Sequence, residues 1–387
     1  MTDSDRWLLP EGIEEVLPPR AQQVEQLRRD MLDLCRSWGY ELVMPPFVEY
    51  LESLLTGVGS DLDLQTFKVT DQLNGRMMGV RADITPQVAR IEAHSLDREG
   101  VVRLCYGGSA LRTRSPNMLS SRSPLLLGAE LFGSDEQTAD VEVIRLMLET
   151  LTCAGVQGLH LDLGHVGVYR AIVSATGLAK AQKTALFDIL QRKSVAELNV
   201  FIAAEVKNPE LADQLLALME LHGGEEVLDL AMQRLGTIPE VVTSIETLRK
   251  LAASIADSHP DVDIYFDLAE LRGYRYHTGV VFAAYADGFG QSIAKGGRYD
   301  DIGSVFGRAK PATGFSIDLK NLLQLLPCDA PDVAPIFAPV SEDTNLPGAI
   351  RELRNNGEVV VQLLREGEPV PAGARQLVLQ DGRWQVR

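Results

Sequence analysis

Strand-like segments follow one another closely in the first third of the chain, and this succession constrains the fold more than any other feature. Residues 77–84, 101–106 and 125–133 concentrate apolar side chains over strand-like lengths. Nothing between the last two segments resembles the crossover helix that neighbouring parallel strands require. Residues 280–294 add a predicted hairpin around an Asp-Gly turn. The pattern therefore predicts an α+β fold in which helices flank an antiparallel sheet.

A helix followed by a short, abruptly ended strand precedes this sheet. Apolar residues recur at three- and four-residue steps from Val24 to Trp38, and Gly39 ends the pattern. The strand-like Glu41–Met44 then stops at Pro45-Pro46. Because proline has no backbone donor for a sheet ladder, this strand is predicted to lie at a sheet edge or at an interface.

Three units are predicted along the chain. A core domain spans residues 1–326, a proline-containing linker spans 327–335, and a small α/β domain spans 336–387. Within the core domain, the glycine-poor residues from about 168 to 258 predict a block of helices, either inserted in the core or forming a separate lobe.

Composition narrows the classes of protein to consider. With 45% apolar residues the chain can bury a full core, and a net charge of −17 disfavours non-specific binding to nucleic acid. The four cysteines are far apart and form no Cys/His cluster, which predicts buried reduced thiols and no metal site. No secretory signal and no membrane-spanning apolar run is present, so a cytoplasmic location without membrane association is predicted.

Two clusters in the first half of the chain contain residues suited to ligand binding. In Arg81–Pro86, an arginine, an acid and a hydroxyl at a strand end could hold a zwitterion, or could form an ordinary strand end with a threonine helix cap. In residues 112–122, arginines around a Ser/Pro loop suit phosphate or carboxylate, or a solvated hairpin tip. Glu130 follows in an apolar strand, where an ionised side chain needs a partner.

A third cluster lies in the second half of the chain. Residues 271–279 hold arginines, tyrosines and His277 just before a strand, and Gly296–Asp300 is predicted to form a tight glycine loop. Each feature has an ordinary structural explanation, such as a satisfied histidine or a simple turn. Their joint occurrence with the first two clusters favours a binding site.

The order and spacing of these elements resemble the class II aminoacyl-tRNA synthetases, over about residues 10–325. Residues 39–46, 106–133 and 314–319 are similar to motifs 1, 2 and 3 of that family. The stretches specifically similar to histidyl-tRNA synthetase are 81–85, 271–276 and 296–300. The resemblance implies the synthetase-like sheet and a homodimer formed through motif 1.

Departures from the synthetase pattern fall on the groups that handle ATP. Arg114 stands where the family's motif 2 glutamate holds adenine, and Asn321 stands where the motif 3 arginine reaches the γ-phosphate. Arg275 replaces an acid of the family. Loss of such preorganised contacts costs roughly 2.7–4 kcal/mol each in the transition state. The resemblance with these departures implies a paralogue that does not form the aminoacyl-adenylate.

A family of this character is the regulatory subunits of ATP phosphoribosyltransferase, which resemble histidyl-tRNA synthetase without its anticodon domain. This resemblance implies a non-catalytic subunit that pairs with the short-form catalytic subunit, HisG, in the first step of histidine biosynthesis. It also implies histidine as the feedback effector, a homodimer within a hetero-oligomer, no tRNA and no cofactor. The alternatives are an active synthetase-like enzyme that activates an amino acid, and an assembly scaffold that senses no ligand.

Carried over position by position, the resemblance implies a histidine site. Asp83 and Thr85 would bind the α-amino group, Arg112 and Arg272 would lie near the carboxylate, and Glu130 and Tyr276 near the imidazole. Two positions differ from the family, because Leu126 replaces a glutamine and His277 replaces the second tyrosine of a pair. Histidine could instead bind at the interface with the catalytic subunit, and the charged residues could be a relic network that only stabilises the sheet.

Overall fold

The computed structural model describes residues 7–56, 60–115, 120–271, 276–302, 307, 309–327 and 334–387. The chain divides into two compact units, Met1–Leu326 and Pro327–Arg387. Each unit contains its own buried cluster of apolar side chains.

Thirteen α-helices and sixteen strands lie within the described residues. The strands are β1 (Glu41–Leu42), β2 (Val48–Tyr50), β3 (Phe67–Thr70), β4 (Met77–Val80), β5 (Val102–Ser109), β6 (Leu125–Phe132), β7 (Leu159–His165), β8 (His222–Gly223), β9 (Asp263–Asp267), β10 (Val280–Ala286), β11 (Ala294–Arg298), β12 (Ala312–Asp318), β13 (Ile336–Ala338), β14 (Val360–Gln362), β15 (Arg375–Gln380) and β16 (Arg383–Val386). The helices are α1 (Arg20–Ser37), α2 (Leu51–Leu55), α3 (Ser60–Gln65), α4 (Thr85–Arg90), α5 (Gln137–Cys153), α6 (Val166–Ala175), α7 (Lys180–Gln191), α8 (Val195–Glu205), α9 (Pro209–Glu220), α10 (Glu226–Leu235), α11 (Pro239–Ser258), α12 (Leu319–Leu325) and α13 (Leu346–Asn355).

A nine-stranded sheet forms the centre of the first unit, in the order β1-β5-β6-β12-β11-β10-β7-β9-β8. The six central strands, from β5 to β7, pair antiparallel, which confirms the predicted antiparallel sheet. Within the described part of this sheet, β1 pairs parallel with β5 and β7 pairs parallel with β9. As predicted from Pro45-Pro46, β1 lies at the edge of the sheet. A smaller antiparallel sheet is formed by β2, β4 and β3.

The helical block shares one core with the sheet. Leu161 and Phe282 from the sheet belong to the same buried cluster as Leu146 of α5 and as Leu190 and Ile245 of the block. The block, α6 to α11, is therefore not a separate lobe, because its apolar faces are buried against the sheet and α5 rather than only against each other. The opposite face of the sheet carries a second cluster that includes residues of α4 and β5.

The second unit is a four-stranded sheet in the order β14-β13-β15-β16, with α13 packed on it. Its closing hairpin turns at Asp381 and Gly382, whose φ angles are +49° and +74°. Two positive φ values match the twist of the flanking strands, which explains the Asp-Gly dipeptide at this turn.

Two sequence-based expectations were wrong. Gly296 and Gly297 lie inside strand β11 rather than in a loop. A Cβ on Gly296 would lie 2.1 Å from the carbonyl oxygen of Gly314 and 2.6 Å from the ring of Phe282. One on Gly297 would lie 2.7 Å from the carbonyl oxygen of Val280 and 2.8 Å from the ring of His277, so close approach of backbone and aromatic rings explains both glycines. Among the cysteines, Cys35 and Cys105 are buried as predicted, but Cys153 is exposed at the last residue of α5; Cys328 and most of the predicted linker lie outside the described residues.

Candidate ligand-binding site around Glu130

Glu130 lies in the middle of the nine-stranded sheet and is fully buried, with 1% of its surface exposed. It stands on β6 directly opposite Gly314 of β12. A Cβ on residue 314 would lie 1.6 Å from Glu130 Oε2, so the carboxyl group occupies the space that any other residue's side chain would fill. The glycine of the predicted motif 3 is thus required by the acid of the predicted motif 2.

Three hydroxyl groups surround the carboxyl group of Glu130. Thr85, at the start of α4, donates a hydrogen bond of 2.8 Å to Oε1, and the Tyr106 hydroxyl on β5 lies 3.4 Å from the same oxygen. The hydroxyl of Tyr299, which follows β11, donates to Oε2. No lysine or arginine among the described residues forms an ion pair with Glu130. The acid therefore has neutral partners only.

This environment changes the protonation of Glu130. Burial is the main cause that raises its pKa to about 8; the hydrogen bonds from the three hydroxyl groups oppose this rise, and the nearby negative charge of Asp83 adds to it. Glu130 is consequently protonated for the most part at neutral pH. Perturbed carboxyl groups of this kind are concentrated at functional sites.

Tyr276 packs against Tyr299, one of the three hydroxyl partners of Glu130. Its ring stacks on that of Tyr299, with a centroid distance of 4.9 Å and an interplanar angle of 29°. Its hydroxyl oxygen is buried and makes no hydrogen bond to any described residue. Burial and the neighbouring Glu130 raise the pKa of Tyr276, so this hydroxyl is neutral. A buried hydroxyl without a partner indicates a position where a ligand atom can bind.

Asp83 and Arg112 lie toward another part of the site. The Asp83 carboxylate accepts a hydrogen bond of 2.7 Å from the backbone N–H of Ile84, and the Arg112 guanidinium donates from Nε to the carbonyl of Ala82 over 3.2 Å. Arg112 also interacts electrostatically with Asp318, which stands on β12 four residues beyond the glycine opposite Glu130. Because Ala82 directly precedes Asp83, the Arg112 guanidinium lies beside Asp83 as well as near Asp318.

Of the other residues singled out from the sequence, His277 and Leu126 lie within the described part of the chain. His277 packs edge-to-face against Tyr276, with a centroid distance of 5.5 Å, and its backbone carbonyl accepts a hydrogen bond from Arg170. Leu126 is buried on β6, where it pairs with Asp318. Arg272, like the divergent Arg275, lies outside the described residues. The structure thus brings Thr85, Glu130 and Tyr276 together with the neighbouring Asp83, Arg112 and His277.

Sequence reasoning missed Tyr106 and Tyr299 as site residues. Both lie within the motif stretches, but neither was assigned to the site. Residues two apart on a strand lie on the same face of the sheet, so Gly128 and Glu130 share a face of β6. Tyr106 pairs with Gly128, and this register places Tyr106 beside Glu130. A Cβ on Gly128 would lie 2.4 Å from the Tyr106 hydroxyl, which explains that glycine as well.

Arg298 and Asp300, which belong to the stretch similar to histidyl-tRNA synthetase, make structural contacts instead. Arg298 is buried and forms a salt bridge of 3.0 Å with Asp140 of α5, and it donates a hydrogen bond to the carbonyl of Ser134. Asp300 accepts a hydrogen bond of 2.7 Å from Thr278. These contacts fasten β11 and the Tyr276 segment to the helix beneath the sheet.

Two positions that differ from the synthetase motifs have different surroundings. Asn321 is buried in α12, with 8% of its surface exposed, whereas Arg114 is exposed to solvent. Among the described helices, none is both long enough and apolar enough to cross a membrane.

Comparisons with known proteins agree with this architecture. Residues 12–322 match the family described as histidyl-tRNA synthetase, and residues 333–387 match the ATP phosphoribosyltransferase subunit HisZ C-terminal domain. Proteins named ATP phosphoribosyltransferase regulatory subunit are 54% identical in Thioalkalivibrio sulfidiphilus and 55% identical in Pseudomonas putida; each comparison covers 100% of this chain, and 98% and 99% of the relative.

Solved structures show the same fold. A Bacillus halodurans protein described as an ATP phosphoribosyltransferase regulatory subunit/histidyl-tRNA synthetase superposes with a TM-score of 0.83 at 27% identity, covering 94% of each chain. Histidyl-tRNA synthetase from Nostoc superposes with a TM-score of 0.78 at 19% identity, covering 96% of this chain and 91% of the other.

Proposed function

The chain belongs to the family of ATP phosphoribosyltransferase regulatory subunits, and we propose that it is the non-catalytic subunit that activates this transferase and makes it sensitive to histidine. The observation that carries the proposal is a buried cluster of polar side chains around Glu130, with an unpartnered Tyr276 hydroxyl, beside positions that differ from those with which synthetases bind ATP. Thr85, Glu130 and Tyr276 are assembled, while the γ-phosphate position is occupied by the buried Asn321. Such a site recognises a ligand without activating it.

The absence of synthetase activity follows from the chemistry of adenylation. Attack of a carboxylate on the α-phosphate needs fixed cations at the phosphates and contacts that hold the purine. A buried amide at residue 321 supplies no positive charge, and the exposed Arg114 is no acceptor for the adenine amino group. The subunit therefore requires a separate chain, the short-form catalytic subunit, to transfer the phosphoribosyl group.

Histidine is the proposed effector. Asp83 and Thr85 would hold its ammonium group, Arg112 and Arg272 its carboxylate, and Glu130 with Tyr276 its imidazole, while His277 packs behind Tyr276. The proximity of Arg112 to Asp83 supports this orientation, because histidine carries its ammonium and its carboxylate on the same carbon atom. No tRNA and no cofactor takes part in this proposal.

A homodimer within the hetero-oligomer is proposed at the β1 edge. Leu42, Met44 and Phe47 follow one another along this edge with 47%, 76% and 43% of their surfaces exposed. Exposed apolar residues beside an unpaired strand edge favour association with another chain. A cytoplasmic location is proposed for the complex, which suits the free thiols of Cys35 and Cys105.

Reconstitution with the cognate short-form catalytic subunit tests the proposal. Phosphoribosyl-ATP formation should rise when the full-length chain is added and should fall again with histidine. Asp83→Asn should weaken inhibition by histidine about tenfold or more, because an ammonium group loses a charge-assisted hydrogen bond. The matched control is Asp257→Asn, at an exposed acid of α11, which should retain normal sensitivity.

Three results would contradict the proposal. A catalytic subunit that works equally well alone would exclude an activator. Histidine-dependent exchange of pyrophosphate into ATP by the purified chain would show an active synthetase-like enzyme. Activation without any effect of histidine on either activity or thermal stability would leave only an assembly scaffold.

A further inference from the structure

The Glu130 carboxyl group is prepared for a negative charge that it does not carry in the ligand-free protein. Its described titratable and hydroxyl neighbours come from every element packed on it: Asp83 and Thr85 at the start of α4, Tyr106 on β5, Tyr276 before β10 and Tyr299 after β11. All three hydroxyl groups can donate to a carboxylate, whose two oxygens offer about four acceptor sites. A carboxylate here would therefore find its hydrogen-bond donors already in place and would lack only a compensating positive charge among the described residues.

The unpartnered hydroxyl of Tyr276 is the second, independent observation. It is buried, and the Tyr276 ring lies flat on Tyr299, whose own hydroxyl contacts Glu130. A ligand group that satisfies both Glu130 and Tyr276 must offer two polar atoms. For Glu130 to ionise in this site, one of these atoms must be basic enough to take its proton, since no cation among the described residues pairs with the acid.

An imidazole ring meets these requirements. In its neutral form it has one ring nitrogen that accepts a proton and one N–H that donates a hydrogen bond. Resting on the histidine site proposed above, we propose that Glu130 protonates the bound imidazole, so that the effector is held as an imidazolium facing a buried carboxylate and the Tyr276 hydroxyl.

The proton transfer is balanced within the site. The O–H bond of the Glu130 carboxyl group breaks, and an N–H bond forms at the ring nitrogen facing it. The second ring N–H donates to the oxygen of Tyr276. The three hydroxyl groups around Glu130 then donate to the carboxylate that remains. No proton is exchanged with solvent near neutral pH, because the free acid brings the proton and the free ligand arrives neutral.

Nitrogen NMR on the full-length chain tests this inference. Histidine labelled with 15N in the ring is bound to the purified protein at pH 7.5, where free imidazole, with a pKa of about 6.5, is mostly neutral. The expected result is that both ring nitrogens of the bound ligand carry protons. A bound ring with one protonated nitrogen would overturn proton transfer while leaving the histidine site intact. Failure of histidine to bind at all would overturn both.

Ligand selectivity provides a second measurement that needs no variant. Triazolylalanine has the shape of histidine but a much weaker ring base, so it cannot take the proton. The wild-type chain should bind histidine at least about tenfold more tightly than triazolylalanine, as expected for a charge-assisted over a neutral hydrogen bond. Equal affinities would contradict the inference.

A variant then assigns the selectivity to Glu130. Glu130→Gln keeps the shape of the side chain but has no proton to give, so its preference for histidine over triazolylalanine should fall to within about threefold. The matched control is Glu240→Gln, at an exposed acid of α11, which should keep the wild-type preference. A residue that only supported the fold would change both affinities together and leave their ratio unchanged.

Discussion

Replacing Glu130 by glutamine should change how the stability of the ligand-free protein depends on pH. The native carboxyl group has a pKa of about 8, whereas its ordinary value is 4.5. Between these values the native state holds a proton that the unfolded state has lost. The free energy of unfolding therefore falls as pH rises through this window, and it becomes constant above about pH 8.

The magnitude follows from the size of the shift. One pKa unit corresponds to about 1.36 kcal/mol, so the contribution of Glu130 should decline by about 3 kcal/mol between pH 6 and pH 8.5. The measurements stop at pH 6 because the isoelectric point lies near 4.9, and the protein would associate as the pH approaches that value. Glu130→Gln cannot titrate, and its hydroxyl neighbours can rotate to accept from the amide, so this decline should be absent.

Urea unfolding at a fixed protein concentration measures the effect. The difference in unfolding free energy between wild type and Glu130→Gln should shift by about 3 kcal/mol in favour of the variant from pH 6 to pH 8.5. Glu240→Gln serves as the control and should follow the wild type at every pH. Parallel curves for wild type and Glu130→Gln would refute the reasoning, because they would show that the buried acid titrates in the same way in both states.

Three further substitutions test other parts of the structure. Gly314→Ala should destabilise the fold by about 1–3 kcal/mol in urea unfolding and abolish histidine binding, since its Cβ would displace Glu130; normal binding in calorimetry would contradict this. Arg298→Met should cost about 3–5 kcal/mol in the same unfolding assay, because Asp140 would remain buried without its cation; a loss below 1 kcal/mol would exclude a buried pair. Met44→Asp should convert a homodimer to a folded monomer in sedimentation velocity, and an unchanged dimer would move the interface elsewhere.

Much of the fold could be predicted from the pattern of neighbouring residues in the sequence. The apolar period of α1, the stop at Gly39 with its φ of +84°, and the strand ended by Pro45-Pro46 depend on neighbouring residues alone. Backbone sterics and donor loss act within a few residues, so they can be recognised without knowledge of the rest of the chain. Thr85, Glu130 and Tyr276 were also recognisable, through resemblance to a family whose motifs fall at these positions.

Contacts between distant strands decided what local pattern could not. Gly296 and Gly297 have the composition of a turn, but pairing with β10 and β12 makes them strand residues. Neighbouring carbonyl groups and the rings of Phe282 and His277 leave no room for a side chain at either position. Likewise, Tyr106 and Tyr299 become part of the site only because β5 and β11 bring them to Glu130 from opposite directions.

The sequence by itself thus determined the antiparallel sheet and the sheet edge at Pro45-Pro46, since both depend on local side chains. The loss of the nucleotide-handling groups stays a prediction from the family resemblance. Tertiary structure alone decided that Glu130 has three hydroxyl partners and no cation among the described residues, and that Tyr276 has an unsatisfied hydroxyl. Burial and charge compensation depend on every group within a few ångströms, and those groups come from strands far apart in the chain.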